Sequence, residues 1–183
     1  MNKALAIKTL SPNAPDTFGF IRAQDLNSQD MLLLYGLLKS ENLLQVFFHD
    51  CEHISFNIFL AYAKNPEHWF YAVKRNGLMA GFMTLNNFSS SGTCAFLHAC
   101  SFSNCRNQAA VAGMQKFLLW LARHSPLQSV ITLIPKPYRA ARKLVEACDF
   151  AHLTNLPDAM RIYRKNKSKN VDGYLFMRTF AKN

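Results

Sequence analysis

The segment 94–135 constrains the fold more than any other part of the chain. It contains a strand-like apolar run at 94–102, a polar turn, a long apolar helix at 107–124 and a second strand at 128–135. Two strands joined by a helix normally lie in one sheet as a parallel pair with a crossover connection. The spacing therefore predicts one parallel pair inside the sheet that the remaining strands build.

A hairpin precedes this unit. Apolar runs at 68–75 and 78–88 flank Asn76-Gly77, a pair favoured in two-residue hairpin turns because both residues accept positive φ. A hairpin makes its strands antiparallel, so this sheet must be mixed.

Helices and short strands account for the rest of the chain. Asn27 and Ser28 are both suitable N-caps for the first helix. The predicted helices cover 27–42, 54–65 and 138–150, and the predicted strands lie within 18–26, 159–166 and 174–180, the last two joined by a polar loop at 167–173. This order predicts an α+β fold with a mixed central sheet, mostly antiparallel with one parallel pair, flanked by helices.

Composition excludes several classes of protein. The chain has 183 residues, of which 50% are hydrophobic and 17% charged, which is typical of one globular domain and not of a disordered chain. No apolar run approaches the roughly 20 residues that span a bilayer, and the N-terminus lacks the apolar core of a signal peptide. Five cysteines without a C-x-x-C pair fit free thiols. We expect a cytoplasmic protein that does not contact membranes.

The charge is basic and uneven. The net charge is +10, and the part from Lys136 onward holds eleven of the 21 Lys and Arg residues but four of the 11 acidic ones. A basic end favours an anionic partner such as a phosphorylated cofactor, nucleic acid or an acidic surface. A solvated basic face that aids solubility is the alternative.

The element order and several degenerate motifs resemble the GNAT family of acyl-CoA N-acyltransferases. FIRAQDL (20–26) resembles its opening strand, YAVKRNGLMAGFMTL (71–85) its hairpin, and 94–122 its acetyl-CoA motif. YRAARKLVEACDF (138–150) is similar to a family helix, which it matches at Ala141, Leu144 and Phe150 and from which it departs at Tyr138, Val145 and Asp149. The resemblance implies a GNAT-like domain over 19–183 after an N-terminal extension, 1–18.

The resemblance also implies acetyl-CoA, or another acyl-CoA, as cofactor. The family turn Arg/Gln-x-x-Gly-x-Gly/Ala, which holds the pyrophosphate on backbone N–H groups, matches Arg106, Asn107, Gln108, Ala109, Ala110 and Val111. Ala109 and Val111 replace glycines, so the donors persist but the Cβ atoms crowd a phosphate. The strand segment Ala99, Cys100 and Ser101 is expected to place the thioester. The alternative is an ordinary helix start capped by Ser103, Asn104 or Asn107.

Amine acylation needs a base for the amine and an acid for the thiolate. The family often places the base on the strand before the phosphate turn, where His98 is the candidate here. The usual family acid is a tyrosine at the position of Val145, so Tyr138 or Tyr163 would have to replace it. The alternative for His98 is a half-buried structural histidine.

The resemblance leaves two function classes open. The first is an N-acetyltransferase acting on a small-molecule or peptide amine. The second is a catalytically inactive GNAT-like binding or scaffold protein, of the kind found among phage-encoded proteins linked to head assembly, that uses the basic C-terminal face. Nucleic-acid binding has the charge but no recognisable module.

Two other groups of residues give weaker indications of a functional site. The stretch HDCEH (49–53) has residue types that bind zinc, but no second ligand cluster completes a site, so no metal is predicted. Cys100 and Cys105 have no base at a motif spacing and are expected to be buried thiols.

Overall fold

The computed structural model describes residues 16–49, 51–164 and 167–181. The strands are β1 (Phe18–Arg22), β2 (Trp69–Arg75), β3 (Leu78–Asn86), β4 (Cys94–Ser101), β5 (Ser129–Pro135), β6 (Ala151–Arg164) and β7 (Lys167–Thr179). The helices are α1 (Ser28–Ser40), α2 (Leu44–Phe47), α3 (Phe56–Lys64), α4 (Gln108–His124) and α5 (Arg139–Glu146). Most of the predicted N-terminal extension lies outside the described residues.

The seven strands form one sheet in the order β1-β2-β3-β4-β5-β7-β6. Every neighbouring pair is antiparallel except β4 and β5, which are parallel and joined through α4. The predicted fold class, a mixed sheet with one parallel pair flanked by helices, is confirmed. Among the described helices, none is long and apolar enough to cross a membrane.

Two short sequence patterns form the local structures that they predict. Asn76 and Gly77 take φ values of 52° and 83° in the turn between β2 and β3, the positive values that such a turn requires. Asn27 caps α1 because its Oδ1 accepts a hydrogen bond from the Asp30 N–H at 2.8 Å.

The end of the chain differs from the prediction. β6 begins at Ala151, and the polar stretch 167–173, predicted as a loop, belongs to β7, where Lys169 pairs with Ile162. Exposed polar residues give little periodic signal, whereas the backbone ladder to a neighbouring strand stabilises them regardless of side chain. The short helix α2 was also missed, because four residues carry no helical period.

The sheet separates two apolar cores. Tyr71 and Val73 of β2 face α4 and α5, while Phe70 and Ala72, on alternate positions, face α1 to α3. The first core also contains Leu97, Phe117, Leu121 and Val145, and the second contains Leu34, Leu38, Phe59 and Phe82. Both faces of the sheet are therefore covered.

Gly81 allows β3 to approach β4. β2 pairs Val73 with Gly81 and Lys74 with Met79, so β3 carries an extra residue there as a bulge. A Cβ atom built on Gly81 would lie 2.1 Å from the Cys100 carbonyl oxygen, far inside van der Waals contact. No larger residue fits without moving the backbone of β4.

We expect Gly81→Ala to lower the free energy of unfolding by about 2–3 kcal/mol, since backbone must move to admit the methyl group. The matched control is Gly36→Ala in α1, where an added Cβ meets nothing within 4 Å. Gly36→Ala should raise the same quantity by about 0.5–1 kcal/mol, because alanine loses less entropy in a helix. Urea unfolding measures both. Equal effects of the two substitutions would contradict this account of Gly81.

Candidate active site

The parallel strands β4 and β5 separate soon after they meet. Their pairing covers Cys94 to Phe96 of β4 against Ser129 to Ile131 of β5. β4 continues to Ser101 and β5 to Pro135 without pairing to each other. The strands thus open a cleft through the sheet.

The cleft has walls from both helical layers. β4 contributes residues 97–100 and β5 residues 132–135, with Val46, Phe47 and His49 on the α2 side. α4 and the α5 region line the other side through Met114, Tyr138, Ala141, Leu144, Val145 and Phe150. The cleft therefore connects the two faces of the sheet, so two molecules could meet in it from opposite sides.

Backbone groups of β4 face this cleft. The Phe102 N–H donates to the Ala80 carbonyl at 2.9 Å, and the same register continues back along β4. Because bonded and non-bonded pairs alternate along an antiparallel ladder, Ala99 and Ser101 direct their N–H and C=O groups toward β5. The pairing with β5 has ended there, so these groups can bond a ligand.

The start of α4 accommodates Ala109 and Val111 at the positions where the family turn has glycines. Ala109 and Val111 lie within the helix, and the positive φ of this turn, 55°, falls on Asn107 instead. Ala109 and Val111 pack their side chains against the first core. The replacements are thus compatible with a helix start whose N–H groups point along the axis.

Two of the side chains predicted to cap α4, those of Ser103 and Asn104, bond elsewhere. Asn107 makes no side-chain cap bond, and the Asn104 amide donates to the Met79 carbonyl. The N–H of Val111 donates to the Asn107 carbonyl at 3.1 Å. The N–H groups that precede Val111 have no intrahelical acceptor, as in any helix, so this end of α4 is suited to an anion.

Glu41, Ser103 and Arg106 form a cluster, here called the Glu41 cluster, beside this turn. The Ser103 N–H donates to both Glu41 carboxylate oxygens at 2.9 Å, and the Ser103 hydroxyl donates at 2.7 Å. Arg106 Nη2 lies 3.1 Å from Glu41 Oε2. The arginine predicted to hold phosphate is thus engaged by a carboxylate of the chain, and α1 is tied to the turn before α4.

Burial and the Glu41 cluster shift the pKa values of two titratable groups near β4. Burial raises the pKa of Glu41, but hydrogen bonds from Ser103 and Arg106 outweigh it and hold the pKa below its usual range. Burial, with the Glu41 carboxylate nearby, raises the pKa of Cys100 to about 12. Cys100 is therefore a neutral thiol near pH 7.

The structure brings two predicted catalytic residues to one cleft. His98 lies on β4, its ring 6.2 Å from the Phe47 ring centroid, and Tyr138 lies just before α5 on the opposite wall. Val145 is buried in the same wall. Tyr163, the other acid candidate, lies on β6, where its N–H donates to the His49 carbonyl.

Sequence reasoning did not identify His49 as a residue of the cleft. His49 was considered only as a metal ligand in HDCEH, of which Asp50 lies outside the described residues. His49 lines the cleft, and its Nδ1 lies 2.9 Å from the Arg161 carbonyl oxygen. No local pattern predicts a contact across more than a hundred residues.

Comparison with known proteins identifies the fold. No family model and no curated protein sequence matches the chain. A solved acetyltransferase of Salmonella typhimurium that modifies the N-terminal serine of ribosomal protein L7/L12 superposes with a TM-score of 0.73 at 12% identity, over 90% of this chain and 96% of that one. The spermidine N-acetyltransferase of Vibrio cholerae, solved with CoA and spermine, superposes with a TM-score of 0.71 at 13% identity, over 90% and 95%.

A third solved structure agrees with these two. The N-acetyltransferase PseH of Campylobacter jejuni, in complex with acetyl coenzyme A, superposes with a TM-score of 0.63 at 14% identity, over 90% of this chain and 100% of that one. The resemblance to GNAT proteins is confirmed, and the chain has the GNAT fold.

We expect Glu41→Gln to lower the free energy of unfolding by about 1–2 kcal/mol at pH 7, because the charged hydrogen bonds of the Glu41 cluster are lost. The folded-state pKa of Glu41 is lowered, so its contribution is complete above the unfolded value of about 4.3 and is lost as pH falls through the folded value. The difference between wild type and variant should therefore shrink below about pH 4. Urea unfolding at several pH values measures it.

The control is Glu146→Gln, which removes an exposed pair with Arg142 inside α5 and should change stability by less than about 0.5 kcal/mol. A Glu41→Gln effect as small as this control would contradict the role given to the cluster.

Proposed function

We propose that this protein is an acyl-CoA-dependent N-acetyltransferase that transfers an acetyl group to an amine. The observation that carries the proposal is the opening of β4 from β5 beside an uncapped helix start. β4 ends at Ser101 and α4 begins at Gln108, so strand donors and helix donors are close in sequence. Several neighbours of this fold were solved with CoA or acetyl-CoA bound.

In this proposal the cofactor spans both sets of donors. The pyrophosphate would bind the N–H groups of Gln108, Ala109 and Ala110, which need no glycine because their angles are helical. The thioester would lie along β4, where Ala99 and Ser101 offer backbone groups. Bound acetyl-CoA would supply the activated acetyl group.

The acceptor amine would enter from the α2 side of the cleft. A base must remove a proton from the amine, and a proton must reach the departing thiolate. His98 and Tyr138, on opposite walls, are the predicted base and acid. One neighbour is an acetyltransferase of a ribosomal protein and another is a spermidine N-acetyltransferase, so a peptide amine and a polyamine are the first acceptors to test.

The alternative function is a GNAT-like binding or scaffold protein without catalysis. Arg161, Lys167 and Lys169 are exposed on the β6–β7 hairpin, and this basic surface could hold an anionic partner without any cofactor. Cofactor binding separates the two functions.

We expect acetyl-CoA to raise the melting temperature by about 3–6 °C at ~10 times its Kd, because a ligand that binds the folded state alone stabilises it. Gln108→Glu should reduce this shift strongly, since a carboxylate at the start of α4 repels phosphate. The same substitution favours the helix dipole, so the protein without ligand should remain at least as stable. Differential scanning fluorimetry measures both effects.

The matched control is Gln29→Glu, which makes the same charge change in the first turn of α1. It should leave the acetyl-CoA shift unchanged. Absence of any shift in the wild type at millimolar acetyl-CoA would contradict the acetyltransferase proposal and favour the scaffold. A normal shift in Gln108→Glu would contradict the phosphate position alone.

A further inference from the structure

His49 reaches across the cleft from one helical layer to the edge of the sheet. The preceding Phe47 and Phe48 anchor the end of α2, with Phe47 4.5 Å from the Phe82 ring centroid and Phe48 buried. The Tyr163 N–H donates to the His49 carbonyl at 3.2 Å, and His49 Nδ1 bonds the Arg161 carbonyl at 2.9 Å. His49 is thus bonded to β6, while the two residues before it pack within the layer of α1 to α3.

This geometry fixes which ring nitrogen carries the hydrogen. A backbone carbonyl can only accept a hydrogen bond, so Nδ1 of His49 must be the donor. Nδ1 then carries its hydrogen in both the neutral and the protonated ring. Nε2 is therefore the nitrogen that gains and loses a proton. A histidine base needs one ring nitrogen held by a hydrogen bond and the other available for this exchange.

The residue that carries this second nitrogen lines the cleft. His49 shares the cleft with β4 residues 97–100 and with Tyr138, the proposed places of the thioester and the acid. The neighbouring anchors hold the ring in a fixed position, which a catalytic group requires. His98 lies on β4 itself, beside Phe47, on the same strand that would hold the thioester.

We propose that His49, through Nε2 and in place of His98, is the general base that deprotonates the acceptor amine. The assignment rests on the proposed acetyltransferase function. The amine nitrogen attacks the thioester carbonyl carbon, a C–N bond forms and the C–S bond breaks. The amine proton passes to His49 Nε2, the thiolate takes a proton from the Tyr138 hydroxyl, and proton exchange with solvent restores both residues.

The first test measures the tautomer without any cofactor. Two-bond ¹H–¹⁵N correlation spectra of the full-length protein should show the neutral His49 ring with hydrogen on Nδ1 and none on Nε2. Signals that disappear in His49→Asn identify the ring. Hydrogen on Nε2, or averaging of the two tautomers, would overturn the assignment whether or not acetyl-CoA binds.

The second test uses bromoacetyl-CoA, which alkylates a nucleophile that lies at the acyl group. Nε2 would displace bromide and form a stable N–C bond, and peptide mass spectrometry locates it. We expect the label on His49. His49→Asn keeps a side-chain nitrogen that can donate to the Arg161 carbonyl but removes Nε2, so the label should be lost while the acetyl-CoA melting shift is retained.

His98→Asn is the matched control, and it should keep the label on His49. A label on His98, or no label on His49 in a protein whose melting temperature acetyl-CoA does raise, would overturn the assignment and leave the acetyltransferase proposal standing. Absence of both the label and the melting shift would instead overturn the proposed function, and this assignment with it.

Discussion

The early end of the pairing between β4 and β5 is the constraint on which the rest of the site depends. Three residue pairs join the strands. Continued pairing would satisfy the backbone groups of Ala99 and Ser101 internally and would close the cleft. β5 can leave β4 because its other edge pairs with β7 along its whole length, from Ser129 to Pro135. The sheet therefore stays continuous while β4 and β5 separate along part of their length.

The cleft between β4 and β5 needs contacts that keep its two sides at a fixed separation. The helical layer of α1 to α3 supplies one such contact on each side of the cleft. Glu41, at the end of α1, holds the turn that follows β4 through Ser103 and Arg106. His49, after α2, holds β6 through Arg161 and Tyr163. Both are polar contacts that join residues far apart in the chain, so neither stabilises an isolated element.

Sequence patterns predicted what short-range physics determines. Asn76-Gly77, the Asn27 cap and the strand–helix–strand segment 94–135 each express a local backbone preference, and each was found in the structure. The resemblance to GNAT proteins named His98 as the candidate base, with Tyr138 as a substitute acid, and both residues line one cleft, while their catalytic roles stay predictions. Glu41 and His49 could not be found this way, because their roles arise from partners more than sixty residues away.

The replaced glycines show how a turn can change sequence without losing its donors. Glycine offers both positive φ and room for a close approach. Here Asn107, a residue type that tolerates positive φ, takes the unusual angle, while Ala109 and Val111 keep helical angles and direct their side chains into the core. The N–H groups remain because proline alone lacks one. What the substitutions change is the space along the turn, so they bear on how closely a phosphate can approach and not on whether donors exist to meet it.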